Sequence, residues 1–107
     1  MTIYEALRSL NLPVCHPPYK GDAETYITYQ LLGQIGQIYA EGKEAETAVS
    51  YAVDIFSTFF NASLLVQVKQ LLEAAGYVVT VDMEYYNQEK DISQMSLLVA
   101  IEGGQYG

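Results

Sequence analysis

The sequence is poor in the residues that several classes of protein require. Its 107 residues include one cysteine, and five positive charges stand against thirteen negative ones. A single cysteine excludes an intrachain disulfide framework and is typical of a protein made in a reducing compartment. The formal charge of −8 repels phosphate, and the basic residues are scattered along the chain. We therefore expect no sequence-specific binding of nucleic acid and no attraction to anionic lipid.

Long apolar runs are also missing. No stretch approaches the roughly 18 apolar residues that span a bilayer, and the N-terminus lacks the pattern of a signal peptide. We expect a soluble chain made in the cytoplasm, without a membrane partner. Half of the residues are hydrophobic, which is enough to form a compact core. The length predicts a single α+β domain over residues 1–107, with a flexible tail from about residue 103.

Two helices are predicted from apolar residues at helical spacing. The first covers residues 2–10 and begins with a capping box at Thr2. The second covers residues 62–75, with Asn61 as its N-cap and Gly76 as its C-terminal stop. Because its leucines and valines follow one stripe, we expect this second helix to cover the core.

Four strands are predicted from β-branched, aromatic and alternating residues. They cover residues 25–32, 48–57, 77–86 and 92–102. In the third strand the odd-numbered residues from Tyr77 to Tyr85 are apolar, so we expect them to face the core. The proline-bearing residues 11–24 predict an extended loop, and residues from 33 to about 46 a long exposed connection.

The element order α-β-β-α-β-β predicts the architecture. Two hairpins on either side of an amphipathic helix are most simply combined in one four-stranded antiparallel sheet. We therefore predict an α+β two-layer sandwich with both helices on one face of that sheet.

Few residues have the chemistry of a catalytic or metal site. Cys15 and His16 are adjacent in the proline-rich loop, and a thiol beside an imidazole suits a nucleophile or a metal ligand. A zinc site needs three or four such ligands, and the chain has no further cysteine or histidine. No glycine-rich phosphate loop is present either. We predict no catalytic residue, no bound metal and no cofactor.

Carboxylates leave one alternative open. Asp54, Asp82, Glu84 and Glu102 fall on the polar sides of their predicted strands. A carboxylate-bearing sheet face could bind a divalent cation through oxygen ligands, so a small ligand-binding or cation-binding domain is the alternative function. The competing interpretation is a solvated or partner-facing surface.

The aromatic inventory indicates a protein interface. The chain has ten tyrosines and no tryptophan, and tyrosine supplies apolar area and a hydroxyl at low entropic cost. Outward-facing aromatic residues and strand carboxylates are therefore the interface candidates, together with one tyrosine of the long connection. These six residues are Tyr26, Tyr39, Phe56, Asp82, Glu84 and Tyr86.

Several short motifs resemble a known family. Leu12-Pro13-Val14 follows the first helix, and Tyr-Ile-Thr-Tyr-Gln occupies residues 26–30. Val-Asp-Ile-Phe-Ser at residues 53–57 precedes the leucine-rich helix, which ends in Ala75-Gly76-Tyr77. Over residues 10–102 this series resembles the tail-completion, or tail terminator, proteins of long-tailed phages and prophages of Gram-positive bacteria.

The resemblance implies a structural protein of the virion tail, assembled in the cytoplasm of the bacterial host, and not an enzyme. Such a protein caps the head-proximal end of the tail tube and forms a homo-oligomeric ring, a hexamer. Its further partners are the tail tube protein and the head connector or neck protein. An acidic lumen would repel the phosphates of passing DNA. A neck or head-closure protein of the same virion is the alternative within this class.

Overall fold

The computed structural model describes residues 2–35, 39–40, 43–44 and 48–102, and the tail predicted from residue 103 lies outside them. The helices are α1 (Ile3–Leu7), a 3₁₀ helix (Arg8–Leu10) and α2 (Ala62–Ala74). The strands are β1 (Val14–Cys15), β2 (Tyr26–Ile35), β3 (Tyr39–Ala40), β4 (Lys43–Glu44), β5 (Ala48–Ser57), β6 (Val78–Asn87) and β7 (Ile92–Glu102). No helix in these ranges is long and apolar enough to cross a bilayer.

The main sheet has five strands in the order β1-β2-β5-β7-β6, and β3 pairs with β4 in a separate two-stranded sheet. The pair β1–β2 is parallel, while the other neighbours are antiparallel. The prediction of a four-stranded antiparallel sheet is therefore wrong, although the α+β class is correct. The missed strand is only two residues long, too short for a period-2 pattern to reveal. Pairing anchors it, with Ile27 N–H donating to the Pro13 carbonyl oxygen at 2.9 Å.

The first helix begins with the predicted capping box. Glu5 N–H donates to Thr2 Oγ1 at 3.1 Å, and Thr2 N–H donates to Glu5 Oε1 at 2.9 Å. The hydrogen bond from the Thr2 backbone lowers the pKa of the Glu5 carboxyl. The α-helix is shorter than predicted, because the chain tightens into the 3₁₀ helix after Leu7 and Asn11 then adopts a left-handed conformation.

The second helix lies as predicted and fastens the two layers together. Leu64, Val68 and Leu72 are buried at intervals of four residues, so they form one stripe against the sheet. Gly76 has φ +98°, which an L-residue rarely adopts, and this conformation ends the helix. Tyr77 N–H then donates to the Leu72 carbonyl oxygen at 3.0 Å as the chain turns into β6.

Removing the N-cap of α2 should destabilise the fold measurably. Leu64 N–H donates to Asn61 Oδ1 at 3.0 Å, which satisfies one of the orphan amides of the first turn. We expect Asn61→Ala to lower the free energy of unfolding by about 1 kcal/mol, as measured by urea denaturation. Asn61→Ser, which keeps a capping oxygen, should retain most of that stability. Equal losses in both variants would contradict a capping role.

The core lies between the two helices and one side of the sheet, called here the helix side. Buried residues of both helices and of the five strands of the main sheet, together with Tyr77 just before β6, form one cluster. Its members are Ile3, Ala6, Leu7, Val14, Ile27, Val49, Tyr51, Val53, Ile55, Leu64, Val68, Leu72, Tyr77, Val79, Met95, Leu97 and Val99. In β5 and β7 the odd-numbered residues face this core, so their even-numbered neighbours lie on the opposite side, called here the open side.

A candidate interaction surface on the open side of the sheet

The open side carries large apolar side chains that no helix in the described part of the chain covers. Val78 is 67% exposed, Met83 and Tyr85 are each 47% exposed, and Leu98 is 43% exposed. Residues directly opposite each other on neighbouring strands share a side. Tyr85 is opposite Gln94 and Met83 is opposite Ser96, which places both on the open side with Leu98. Exposed apolar side chains gathered on one surface indicate a partner.

A stack of three aromatic rings forms one corner of this surface. Tyr26 and Phe56 are cross-strand partners, and their ring centroids are 4.8 Å apart. Tyr19 stacks on the other face of Tyr26 at 4.2 Å, and its hydroxyl accepts a hydrogen bond from Ala23 N–H at 2.9 Å. Burial in this stack raises the pKa of Tyr26.

The turn beside the stack depends on a glycine. A Cβ added at Gly21 would come within 2.8 Å of three atoms of the Tyr19 side chain. The Tyr19 ring can reach its place over Tyr26 because residue 21 has no side chain. The loop before β2 is thus fitted to the aromatic corner.

An open groove of about 860 Å³ separates the aromatic corner from the tip of the β6–β7 hairpin. The lining residues are Tyr26, Phe56, Gln94, Ile92 and residues 85–90 of the hairpin. The groove combines aromatic faces with amide and carboxylate groups. This mixture is typical of protein-binding surfaces and gives a partner both apolar area and hydrogen-bonding groups.

A carboxylate is held in the middle of the open side. Gln94 Nε2 donates to Asp54 Oδ1 at 3.3 Å, and the Ser96 hydroxyl donates to the same oxygen. Asp54 is opposite Ser96 across β5–β7 and opposite Thr28 across β2–β5. Because two neighbouring side chains donate to it, Asp54 is a fixed charged group among the polar, apolar and aromatic side chains of the open side.

A β-bulge in β6 decides which residues reach the open side. Val81 is opposite Leu97 and Met83 is opposite Ser96, so Asp82 has no residue opposite it on β7. Tyr77 and Val79 are buried as predicted, and Val81 lies on the same side although it is exposed. Met83 and Tyr85, beyond the bulge, are exposed on the open side. The prediction that odd positions face the core throughout β6 is therefore wrong in its second half, because one extra residue reverses the alternation.

The bulge also changes the side of β6 on which the interface candidates Glu84 and Tyr86 lie. Tyr26 and Phe56 lie together on the open side. Glu84 is opposite Met95 and Tyr86 is opposite Ser93, so both belong to the helix side, beyond the part that the helices cover, and both are exposed. Tyr86 thus lies by register on the opposite side of β6 from Tyr85, but it is exposed as predicted and lines the groove together with Tyr26 and Phe56.

The remaining candidates have different positions. Asp82 is exposed at the bulge, and Tyr39 begins β3, where its side chain lies outside the described residues. The Tyr86 hydroxyl donates to Asp91 Oδ1, and this hydrogen bond raises the pKa of Tyr86. It ties the end of β6 to the hairpin turn. A role in an interface stays a prediction for all six candidates.

His16 contacts Tyr29 of β2 through both a hydrogen bond and its ring. Its Nδ1 donates to the Tyr29 carbonyl oxygen at 3.0 Å, and its ring lies 4.5 Å from the Tyr29 ring. Cys15 is half-buried in β1, next to His16 in the chain. Since His16 is bound to the outer edge of β2, its observed role is to hold the proline-rich loop against the sheet.

The carboxylates do not converge. Asp54 lies in the middle of the open side, Glu84 lies on the helix side, and Asp82 stands between them at the bulge. Within the described residues, no three histidine, cysteine, aspartate or glutamate side chains are grouped to hold a metal ion.

Sequence reasoning missed four surface residues of the open side: Met83, Tyr85, Leu98 and Val78. For Met83 and Tyr85 the sequence does contain a signal of their exposure. The turn joins Asn87 to Ile92 as partners, so near the turn each odd position of β6 is opposite an even position of β7. Further from the turn, the apolar odd-numbered residues of both β6 and β7 can be buried together only if odd positions of β6 are opposite odd positions of β7. The register set by the turn and the register set by burial therefore differ by one residue, and a β-bulge accommodates the extra residue.

The comparisons with known proteins support this fold. The sequence matches no protein-family model and no curated protein. Among solved structures, a chain from the virion of a native gene transfer agent particle is similar, with a TM-score of 0.56 and 12% sequence identity. The match covers 95% of this chain and 92% of that chain. A likeness at this identity shows a shared fold along almost the whole chain.

Proposed function

We propose that the protein is a structural component of a phage-like virion, which terminates the tail tube and forms a ring where head and tail join. The fold shared with a gene transfer agent virion chain over nearly the full length of both proteins is the observation that carries this proposal. The motifs that resemble tail-completion proteins supply the narrower role.

The open side gives such a protein a docking surface. Its exposed apolar residues and the aromatic corner offer area to a partner, and Asp54 offers a fixed polar contact. We assign this side to the tail tube protein or the head connector. A non-catalytic role accounts for a surface that combines exposed apolar and aromatic side chains with one fixed carboxylate.

The acidic charge is consistent with a ring through which DNA passes. A formal charge of −8 per chain would repel the phosphate backbone wherever it reached the lumen. DNA would therefore move through the ring without adhering to it.

Mixing the purified protein with purified tail tubes tests the proposed function. Electron microscopy should show added density at one end of each tube, and light scattering over a concentration series should show a closed oligomer. Density on isolated head connectors with bare tube ends would favour the neck or head-closure role instead. A chain that stays monomeric and binds neither tubes nor connectors would refute the proposal.

A further inference from the structure

The edge strand β6 is unusually apolar for a strand at the border of a sheet. Within the described residues it pairs only with β7, so its other edge presents backbone N–H and C=O groups outward. Five of its ten residues are large, apolar or aromatic, and exposed, and they project from both sides of the strand. These residues are Val78, Val81, Met83, Tyr85 and Tyr86. Such an edge is a template for pairing with another strand.

The opposite border of the sheet offers a second edge. β1 covers β2 only at Ile27 and Thr28. Two hydrogen bonds show which groups of β2 point outward: Ile27 N–H donates to the Pro13 carbonyl oxygen, and the Tyr29 carbonyl oxygen accepts from His16. Because outward and inward groups alternate along a strand, the N–H and C=O of Leu31 point away from β5.

The two edges differ in charge. β6 carries Asp82 and Glu84 near its middle, whereas no residue of β2 is charged. Two β6 strands from different copies would bring these carboxylates close to their counterparts, and like charges across a strand pair are destabilising. β2 has the exposed residues Leu31 and Leu32 and no charge that would repel the carboxylates of an approaching β6 strand. The charges therefore favour pairing of unlike edges over pairing of like ones.

We infer that β6 of one copy adds to the β1–β2 edge of a second copy, so that the main sheet continues from subunit to subunit. The contact is heterologous, and repetition closes it into a ring when the rotation between copies allows. This inference rests on the proposed ring and names the interface that builds it. The open side of the sheet then stays available for the tube or connector.

A lysine substitution on β6 tests the contact. Lysine on an edge strand opposes strand addition, because its ammonium group would be buried against the apolar partner edge. We expect Val81→Lys, which lies on the helix side of β6 and away from the docking surface, to weaken self-association at least tenfold in analytical ultracentrifugation and to remove rings from tube ends in micrographs. The thermal midpoint should stay near that of the parent, since the Val81 side chain is 48% exposed.

A matched control separates the edge from a general effect of charge. Val66 lies on α2 and is 51% exposed, close to the 48% of Val81. Val66→Lys should assemble like the parent chain. Equal weakening by the α2 substitution, or unchanged assembly of the β6 variant, would overturn the inference.

Cross-linking distinguishes unlike-edge from like-edge pairing. Cys15 lies in β1 and is the only cysteine, so Val81→Cys or Met83→Cys adds one thiol on the other edge. With a short bismaleimide, unlike edges should give a ladder of covalent multimers beyond the dimer. The same variants with Cys15→Ser should then give monomer only. Dimers in both backgrounds, or rings without a ladder at either position, would overturn the inference.

Failure of this inference differs from failure of the proposed function. If the parent chain forms rings on tubes and the lysine variant does so too, the edge contact is wrong and the tail function stands. If the parent chain forms no ring and binds no tube, both are wrong.

Discussion

Replacing Leu72 with aspartate should unfold the protein. Leu72 is fully buried at the C-terminal end of the α2 stripe, between the helix and the sheet. Losing a buried leucine alone costs about 2–5 kcal/mol, and a carboxyl group placed there finds an apolar environment that penalises it further. The sum approaches the whole stability of a domain of this size, about 5–15 kcal/mol.

Circular dichroism and urea titration would measure this effect against two controls on the same helix. Leu71 is only partly buried, so Leu71→Asp should destabilise less than Leu72→Asp. Val66 is exposed, and Val66→Asp should change the free energy of unfolding by no more than about 0.5 kcal/mol. A loss at Val66 equal to that at Leu72 would mean that the helix buries a different stripe.

Two aspartates on the open side should abolish docking without unfolding the chain. Tyr85 and Leu98 are both nearly half exposed on this side, so Tyr85→Asp with Leu98→Asp removes apolar contact area and leaves the core intact. Truncating central apolar or aromatic anchors of an interface typically costs 2 kcal/mol or more each. We expect binding to purified tail tubes to fall by at least about 30-fold, which is about 2 kcal/mol.

Surface plasmon resonance on immobilised tubes would measure this loss, and thermal unfolding would verify the fold. Val66→Asp, which places one aspartate on the exposed surface of α2, should bind tubes like the parent chain. Tyr85 also belongs to the β6 edge, so self-association is checked with Leu98→Asp alone, which lies on β7 and should still self-associate. Full tube binding by the double variant would exclude the open side as the docking surface.

Local sequence determined the elements whose signals are complete within a few residues. The capping box at Thr2, the N-cap Asn61 and the stop at Gly76 were all predictable, because capping depends on side chains one turn apart. The stripe of α2 and the alternation along β5 and β7 were predictable because burial on one side imposes a period. These features were sufficient for the α+β class, and the aromatic residues Tyr26 and Phe56 were correctly placed on a common outward side.

Tertiary structure alone decided the rest. β1 exists because β2 lies beside it, and two residues have no periodicity of their own. In the second half of β6 the side-chain alternation is reversed. The hairpin turn and the buried apolar residues of β6 and β7 impose registers that differ by one residue. That single extra residue, Asp82, turns Met83 and Tyr85 outward to the open side and leaves Glu84 and Tyr86 on the helix side. Strand pairing, which joins residues distant in the chain, therefore determined the surface that the protein presents to its partners.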